Sequence, residues 1–297
     1  MRVAAGSATL PGSTMKLVTW NVQWCRGCDG RVDPQRIVDH ARAFADFDVL
    51  CLQEVAANFS TLKGSAGEDQ FALLAALLPG FTPVVATPVD VAAPDGSRRT
   101  FGNMILSRLP VAQVLRVQLP WPADPAVRSM PRMLLEGVVL TSFGPLRVMT
   151  THLEYYSQTQ RALQIEALRA HHAEACGHAL DDRARSDSGD PFQAQPHTLS
   201  AILTGDFNLR PEDPLHARMT APSADARAPA FVDAWQFLQP GQGQPATLGV
   251  HDRDQWPDPF ACDFIFATSD LRGRLRKVAV DASTEASDHQ PMLVELG

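Results

Sequence analysis

The chain has 297 residues, of which 45% are hydrophobic and 20% charged, a composition typical of a globular protein with a full hydrophobic core. No apolar run is long enough to cross a bilayer, so we expect no stable membrane insertion. The net charge of -7 argues against a broad basic face for binding nucleic acid, although a local basic groove remains compatible with it.

Short β-branched runs alternate along the chain with longer segments of helical period. In the first half, helices are predicted over residues 33–47 and 70–78, and Pro79-Gly80 ends the second of them. The strands predicted in this half are Lys16–Trp20, Asp48–Leu52, Thr82–Val85, Asn103–Ser107, Met133–Leu140 and Leu146–Thr150.

The second half opens with the longest predicted helix, residues 157–180, for which Ser157 or Thr159 is a suitable cap. The polar stretch 181–198 predicts a loop or a partly disordered insertion. After it we expect a strand over 199–204, a short helix within 211–219, an irregular stretch over 221–230, and the strands Phe264–Ala267, Lys277–Val280 and Met292–Leu296.

This succession of elements predicts a mixed α and β protein. It contains too many adjacent strands for a simple doubly wound sheet, and two stacked sheets covered by helices fit better. Neither polar stretch divides the strand pattern, so we expect a single domain over residues 16–297 after a flexible leader over residues 1–15.

The leader and the cysteines indicate the compartment. The leader lacks the hydrophobic segment of a signal peptide. Five cysteines give an odd count without the density of a disulfide scaffold, so a reducing, cytoplasmic location is expected. Cys25 and Cys28 form a lone CxxC motif, which we interpret as a pair of loop cysteines because no second pair stands at zinc spacing.

Polar side chains recur where predicted strands end. Sites are commonly built at the carboxyl ends of strands, because loops diverge there while the strands hold the side chains rigidly. Any single one of these residues, Asn21 above all, is also compatible with a cap or a turn. The residues are Asn21, Glu54, His152, Asp206 and Asn208, and the pair Asp288-His289 stands just before the last strand.

These residue types suit phosphate chemistry. The carboxylates of Glu54 and Asp288 with the amide of Asn21 are oxygen donors of the kind that hold a hydrated Mg²⁺ ion. Asp206 can supply a base, and a histidine can supply positive charge to a phosphoryl oxygen.

Six short motifs then occur in a fixed order, from about Lys16 to Leu296. They are Trp20-Asn21, Gln53-Glu54, Thr151-His152-Leu153-Glu154, Gly205-Asp206-Phe207-Asn208, Asp263-Phe264-Ile265-Phe266 and Ser287-Asp288-His289. In this order the chain resembles the endonuclease/exonuclease/phosphatase superfamily of DNase I-like, metal-dependent phosphodiesterases. The strand that begins Gly102-Asn103 also resembles a strand of that family.

The resemblance implies an α/β fold, a four-layer α/β/β/α sandwich of two stacked mixed sheets flanked by helices. It also implies a Mg²⁺ or Mn²⁺ cofactor. Glu54 would be its main ligand, with Asn21 and Asp288 nearby, directly or through water.

The same resemblance implies roles for the other side chains. Asp206 would orient or deprotonate the attacking water, and Asn208 would bind the phosphate. His289, hydrogen-bonded to Asp263, would contact a phosphate oxygen, and His152 would be a second positive or donor group. The substrate would be a phosphate ester, with nucleic acid and phospholipid headgroups among the candidates, and no obligate protein partner is evident.

Two departures from the family pattern bear on the substrate. Many members involved in repair of abasic DNA carry tyrosine where this chain has His152, so the chain resembles more closely the branch with sphingomyelinases, phosphoinositide phosphatases, deadenylases and tyrosyl-DNA phosphodiesterases. Cys262 stands where many relatives have arginine. Neither departure selects one substrate.

Several other residues allow two readings each. Arg161 and Gln164 would face the cleft or lie on an exposed helix face. Arg98-Arg99 would steer an anion or form a solvated turn, and His171-His172 read as surface residues. Glu154 would lie beside the metal or cap the following helix.

Two other functional classes remain open from the residues. A binding protein could retain the fold and lack turnover. Ser287, His289 and an acid could form a nucleophilic hydrolase, although Ser287 lacks the glycines of a nucleophile elbow.

Overall fold

The computed structural model describes residues 14–181, 189–192, 195–223 and 225–297, and in them two six-stranded sheets pack face to face. The first sheet has the spatial order β11-β12-β1-β2-β4-β3. Its strands are Met15–Asn21 (β1), Val49–Ala57 (β2), Thr82–Ala92 (β3), Arg98–Ser107 (β4), Leu275–Val280 (β11) and Met292–Leu296 (β12).

The second sheet has the order β5-β6-β7-β8-β10-β9. Its strands are Val111–Gln118 (β5), Met133–Thr141 (β6), Gly144–His152 (β7), Ala201–Asp206 (β8), Phe231–Asp233 (β9) and Asp263–Thr268 (β10). The helices are Pro34–Phe44 (α1), Gln70–Leu77 (α2), Gln158–Leu180 (α3), Pro214–Thr220 (α4) and Ala234–Leu238 (α5).

Alternation along the strands builds three apolar layers. In β1, Leu17 enters the core between the two sheets, whereas Val18 faces the layer of α1 and α2. In the second sheet, Ile202 enters the inter-sheet core and Leu203 packs under α3 with Ile165. Successive side chains of a strand point to opposite faces, so each sheet is covered on both sides. The four-layer α/β/β/α sandwich expected from the sequence is therefore confirmed.

Each sheet contains one parallel pair of strands at its centre. β1 and β2 are parallel, with Asn21 opposite Gln53, and β7 and β8 are parallel, with His152 opposite Asp206. The other neighbouring strands are antiparallel. The carboxyl ends of a parallel pair lie at the same edge, so both sheets bring polar strand ends to one side of the molecule.

The boundaries differ from the sequence expectations in several places. Asp33 caps α1 through its side chain instead of lying inside the helix. The side chain of Ser157 caps α3, which confirms one of the two caps expected from the sequence. The elements β5, β9 and α5 were not predicted. Within the predicted insertion 181–198, residues 182–188 and 193–194 lie outside the described residues, and the described remainder forms no helix or strand.

The predicted leader and domain boundary stay predictions. Residues 1–13 lie outside the described residues, and β1 begins at Met15. The five cysteines, all of them described, are free thiols, and Cys25 is buried while Cys28 is half-buried in a loop. In the part of the chain that the structure describes, no helix combines the length and apolarity needed to cross a membrane.

The expectation that His171-His172 lie on the surface is wrong. His172 is only 4% exposed, and its Nε2 donates to the carbonyl of Pro229 at 2.8 Å while Nδ1 accepts from Arg147 at 3.1 Å. His171 donates to Glu136 at 2.8 Å, and Glu136 also holds Arg147 through two hydrogen bonds. The two histidines belong to a polar network between α3 and the second sheet, to which β6 contributes Glu136 and β7 contributes Arg147.

This network predicts a pH-dependent stability. Burial lowers the pKa of His172 from 6.5 to about 4. The unfolded chain therefore binds more protons between these values, and stability is lost as pH falls through this window. We expect the free energy of unfolding to decrease by about 2 kcal/mol from about pH 7 to about pH 5 because of His172.

Urea unfolding at the two pH values tests this, with His172→Gln as the comparison. Burial alone would raise the pKa of Glu136, but the hydrogen bonds from His171 and Arg147 outweigh it and lower this pKa to about 2. Glu136 therefore affects the stability only at lower pH. The decrease in the variant should be smaller than in the wild type by about 2 kcal/mol, the contribution of His172, because His152, whose pKa is also lowered, acts in both proteins. An unchanged decrease in the variant would assign the pH dependence to other groups.

Candidate active site

All eight residues selected from the sequence lie together where the two sheets meet, and we call this region the cleft. The first sheet contributes Asn21 at the end of β1, Glu54 within β2, and Asp288-His289 in the loop before β12. The second contributes His152 and Asp206 at the ends of β7 and β8, Asp263 at the start of β10, and Asn208 just after β8.

Asn21 connects the two sheets. Its Nδ2 donates to Glu54 Oε1 at 3.0 Å and to Asp206 Oδ2 at 2.9 Å, while its Oδ1 accepts from the backbone amide of Gln23 at 3.1 Å. Because both partners of Nδ2 are carboxylates, the amide orientation follows from the network. One buried amide thus holds carboxylates from opposite sheets close to each other.

Backbone strain occurs at this cleft, at Glu54 and Asn208, and also elsewhere. Among the described residues, six that are not glycine have positive φ: Gln23, Trp24, Cys25, Glu54, Asn58 and Asn208. Such conformations cost roughly 1–3 kcal/mol each and persist where the surrounding fold imposes them. For Glu54, with φ 60°, the cause is a shift of register between β2 and β4 at this position, which redirects its side chain.

Gly205 is required by a close approach of backbones. Its φ is +136°, and a Cβ at this position would lie 1.9 Å from the carbonyl oxygen of Thr151. Glycine lets β8 run tightly beside β7 just before Asp206. The glycine of the Gly205-Asp206 motif therefore has a structural reason.

The cleft concentrates acidic groups. Burial and the charge of Asp288 raise the pKa of Glu54 to about 7. Burial raises the pKa of Asp206 to about 6, with Asp263 adding to the rise and His289 opposing it. Carboxylates whose charged forms are disfavoured in this way are stabilised by a nearby cation.

Two groups of side chains bring possible metal ligands within 4.8 Å of one another. They are Glu54, His152 and Asp206, and Asp206, Cys262 and His289. The first group combines two carboxylates with one imidazole, a set compatible with a hard divalent cation. Cys262 is buried, and burial raises the pKa of its thiol well above the usual value, so its thiolate form is strongly disfavoured.

The carboxylate of Asp288 is already hydrogen-bonded. Its Oδ2 accepts from Gln23 Nε2 at 2.6 Å and from Trp256 Nε1 at 3.0 Å, and its Oδ1 accepts from Ser287 Oγ at 3.3 Å. Asp288 lies at the cleft as expected, but three side chains hold it in place. Neither Gln23 nor Trp256 was selected from the sequence, since both are far from Asp288 along the chain.

The surroundings of His289 favour its protonated form. Its Nδ1 lies 2.9 Å from Asp263 Oδ2, and its Nε2 lies 3.6 Å from Asp206 Oδ2. Burial lowers the pKa of His289, but the charges of Asp263 and Asp206 outweigh this and hold it well above its usual value. The carbonyl of His289 also accepts from Trp20 Nε1 at 2.9 Å, which fixes the backbone at this position.

His152 has the opposite character. Its Nε2 lies 3.4 Å from Asp206 Oδ2 and its Nδ1 lies 3.8 Å from Glu54 Oε1. Burial, followed by the charges of Arg132 and His289, lowers its pKa well below the usual value. Of the two roles expected from the sequence, positive charge or hydrogen-bond donor, this environment favours the neutral donor.

Asn208 stabilises the turn after β8. Its backbone amide donates to Asp206 Oδ1 at 2.9 Å, and its Nδ2 donates to the carbonyl of Leu153 at 2.9 Å. The side chain therefore joins the segment after β7 to the segment after β8. One of its two amide hydrogens is used in this contact.

Arg161 and Gln164 are buried and do not form an exposed helix face. Arg161 Nη1 donates to the carbonyls of Glu154 and Tyr155 at 2.8 and 2.9 Å, and Gln164 Oε1 accepts from the amide of Glu154 at 2.9 Å. Both residues position the segment that follows His152. Gln164 Nε2 also donates to the carbonyl of Pro120 at 3.2 Å, and contact of either side chain with phosphate stays a prediction.

Arg132 was missed by the sequence reasoning. It is buried, its Nε lies 3.3 Å from Glu154 Oε2, and the charges of Glu54 and Asp206 also act on it. The sequence gives no local signal, because an arginine before a strand is usually solvated. By contrast, Arg98 forms an exposed ion pair with Asp90 at 2.7 Å, which agrees with the solvated alternative expected from the sequence.

Residues 18–289 match the sequence profile of the Endonuclease/Exonuclease/phosphatase family. The chain belongs to the endonuclease/exonuclease/phosphatase family. Comparison with curated proteins gives no match.

Solved structures of this family share the fold. An endonuclease/exonuclease/phosphatase from Beutenbergia cavernae has 24% identity and a TM-score of 0.66, covering 95% of this chain and 71% of its own. D. rerio TDP2 complexed with a single-strand DNA product has 18% identity and a TM-score of 0.63, with coverage of 96% and 100%. The mannosyl-6-phosphatase of Bacteroides thetaiotaomicron has 16% identity and a TM-score of 0.62, with coverage of 95% and 99%.

Proposed function

We propose that this member of the endonuclease/exonuclease/phosphatase family is a phosphoesterase that depends on a divalent metal ion and hydrolyses a phosphodiester or phosphomonoester bond with an activated water. The observation that carries the proposal is the contact of Asn21 with both Glu54 and Asp206, beside the ion pair of His289 and Asp263. It supports a metal site and an acid–base pair in a single cleft.

The donor set fits Mg²⁺ or Mn²⁺. Glu54 would be the main ligand, because it is an oxygen donor whose negative charge is disfavoured without a cation. Asn21 would hold Glu54 in position, and Asp288 would act through water because its oxygens already accept three hydrogen bonds. When bound, the cation supplies positive charge that stabilises the phosphoryl oxygens and the leaving oxygen.

The other side chains divide the proton chemistry. Asp206, with a pKa of about 6, is suited to accept a proton from the attacking water near neutral pH. The water oxygen forms a bond to phosphorus as the bond to the leaving oxygen breaks. His289 would donate from Nε2 to a phosphate oxygen, and Asp263 would keep its ring oriented and protonated. His152 and the second amide hydrogen of Asn208 would donate to the same phosphate.

The names of structural neighbours are consistent with this class of reaction. One neighbour is a mannosyl-6-phosphatase and another is bound to a DNA product. Nuclease and phospholipid or small-molecule phosphodiesterase activities are both compatible with the catalytic residues. The intact set of acidic and imidazole groups argues against a binding protein without turnover.

The contacts of Ser287 argue against a serine hydrolase. Its Oγ donates to the carbonyl of Asn21 at 2.8 Å and accepts from the backbone amide of His289 at 3.2 Å. The imidazole of His289 instead faces Asp263 and Asp206. The hydroxyl also lies 3.3 Å from Asp288 Oδ1, but the catalytic arrangement of a serine hydrolase needs the imidazole, which faces away, so labelling by a fluorophosphonate is not expected.

Metal removal tests the proposed function directly. Hydrolysis of bis(p-nitrophenyl) phosphate should be lost on treatment with EDTA and should return with excess Mg²⁺ or Mn²⁺. A parallel screen should include abasic DNA, single-stranded DNA, RNA, sphingomyelin and inositol phosphates. Activity that survives EDTA would contradict the metal dependence, and inactivity on every ester with either metal would support the binding protein instead.

A further inference from the structure

Both tyrosines of the chain lie beside the cleft. The sequence contains two tyrosines and five tryptophans. Tyr155 and Tyr156 follow Glu154 directly and are 38% and 43% exposed. The polar end of each ring and its exposed face suit contact with a ligand better than they suit a core. The chain has only these two tyrosines, and neither of them belongs to the hydrophobic core.

These rings form a row that begins at the catalytic cluster. Trp256 donates through Nε1 to Asp288 at 3.0 Å, and its ring lies edge-on to Tyr155, with ring centroids 5.8 Å apart. Tyr155 lies edge-on to Tyr156, with centroids 4.8 Å apart. We call Trp256, Tyr155 and Tyr156 the aromatic rim. It runs outward from Asp288 along the segment that follows His152.

A basic cavity adjoins the rim. It has a volume of about 250 Å³, and we call it the arginine pocket. Its lining residues are Arg128, Ser129, Met130, Arg132, Glu154 and Tyr156. Arg128 lies over the ring of Tyr156 at 4.6 Å and contacts its hydroxyl, and Arg132 lies within range of the charges of the cleft. Arg132 already pairs with Glu154 at 3.3 Å, so the exposed Arg128 is the arginine of this cavity that is best placed to contact an anion.

The combination of rings and guanidinium groups selects between ligand classes. A row of exposed aromatic rings binds nucleobases by stacking, and arginines beside it bind phosphates. Aromatic rings also bind quaternary ammonium groups. Arg128 already occupies a ring face of Tyr156 and would repel such a cation, so a choline headgroup fits poorly.

We propose that the aromatic rim and the arginine pocket bind a nucleotide next to the scissile phosphate, which makes a single-stranded nucleic acid the substrate class. The base stacks on the exposed ring of Tyr155, which lies edge-on to Trp256, and the neighbouring phosphate contacts Arg128 in the arginine pocket. This inference rests on the proposed phosphodiesterase activity. It goes further by naming a nucleotide as the part of the substrate next to the reacting phosphate.

Three esters with a common leaving group test the inference. They are the p-nitrophenyl ester of thymidine 5′-monophosphate, methyl p-nitrophenyl phosphate and p-nitrophenyl phosphorylcholine. The first two differ only in the presence of a nucleoside. We expect the holoenzyme with Mn²⁺ to prefer the nucleoside ester over the methyl ester by about 10-fold or more in kcat/KM, as one stacked base implies.

The preference should fall to near unity in Tyr155→Ala. Arg128→Met should instead weaken competitive inhibition by thymidine 3′,5′-bisphosphate, which carries the second phosphate that these esters lack, and unchanged inhibition would remove the arginine pocket from the proposal. Phe237→Ala is a matched control, since Phe237 is an exposed ring under Arg272 at 5.8 Å, near the end of β10 opposite to Asp263. The control should keep the preference of the wild type. Thermal melting of each variant checks that the fold is intact.

The remaining outcomes separate this inference from the proposed function. Equal kcat/KM for the nucleoside and methyl esters, or a preference that survives Tyr155→Ala, overturns the nucleotide site and leaves the phosphodiesterase intact. Preference for the choline ester overturns it in favour of a headgroup site. Hydrolysis of none of the three esters overturns the phosphodiesterase itself.

Discussion

Replacing Glu54 with glutamine is expected to lower kcat/KM for phosphodiester hydrolysis by roughly 1,000-fold, the scale of losing a major electrostatic contribution to the transition state. The shape of the side chain is preserved, and its Oε1 can still accept from Asn21 at the bulge in β2. What the change removes is the negative charge that faces the proposed cation. The measurement is turnover of bis(p-nitrophenyl) phosphate over a range of Mn²⁺ concentrations.

Thermal melting distinguishes this loss from misfolding. Without metal, the variant should be as stable as the wild type or more stable, because a buried carboxylate is removed from an acidic cluster. At a free metal concentration of about 100 times its Kd, binding adds about 2.7 kcal/mol to the free energy of unfolding of the wild type. This stabilisation should be missing in the variant. Glu166→Gln, at an exposed ion pair with Arg218, is the matched control. A variant that keeps both its activity and its metal-induced stabilisation would remove Glu54 from the metal site.

The second large effect separates the two neighbours Asp288 and His289. His289→Gln should lower kcat by roughly 100- to 10,000-fold, the range of general acid–base groups, without changing the metal concentration that gives half-maximal rate. Asp288→Asn should instead raise that concentration by roughly 10- to 100-fold, as outer-sphere partners of a metal do. Asp288 is held by Gln23 and Trp256, whereas His289 is held by Asp263.

Complete rate curves against Mn²⁺ for both variants measure this division. The asparagine at position 288 retains one acceptor oxygen, so the hydrogen bond from Trp256 can survive and the local fold should persist. If both variants show the same metal dependence, the two residues do not have separate roles. A normal kcat in His289→Gln would likewise exclude the imidazolium as a donor to phosphate.

The local hydrophobic pattern of the sequence was sufficient to predict most strands and helices of the sandwich and the polar residues at the strand ends. Asn21, His152 and Asp206 each stand at the last position of a strand whose buried run is visible without a structure. The strand alternation that places Leu17 and Val18 on opposite faces is equally local. Six motifs in order then identified the family and, through it, the roles expected of each residue.

Long-range contacts and weak patterns were beyond that reasoning. β5 is an edge strand with no buried residue and β9 has three residues, so neither shows the hydrophobic run of a central strand. His172 is buried because Arg147 and the carbonyl of Pro229 accommodate it, and nothing next to it in the sequence indicates this. Gln23 holds Asp288 across 265 positions of the chain.

The order of strands in the first sheet has a consequence for biosynthesis. β1 pairs with β2 on one side and with β12 on the other, and Asn21 and His289 are 268 positions apart. At about 5–20 residues per second, the edge of β1 stays unpaired for on the order of 10 to 60 s while the second sheet is made. An open edge of this kind is prone to intermolecular pairing, so the nascent chain needs shielding during this interval. Asp288 and His289 directly precede β12, so we expect the candidate site to assemble only when β12 pairs with β1.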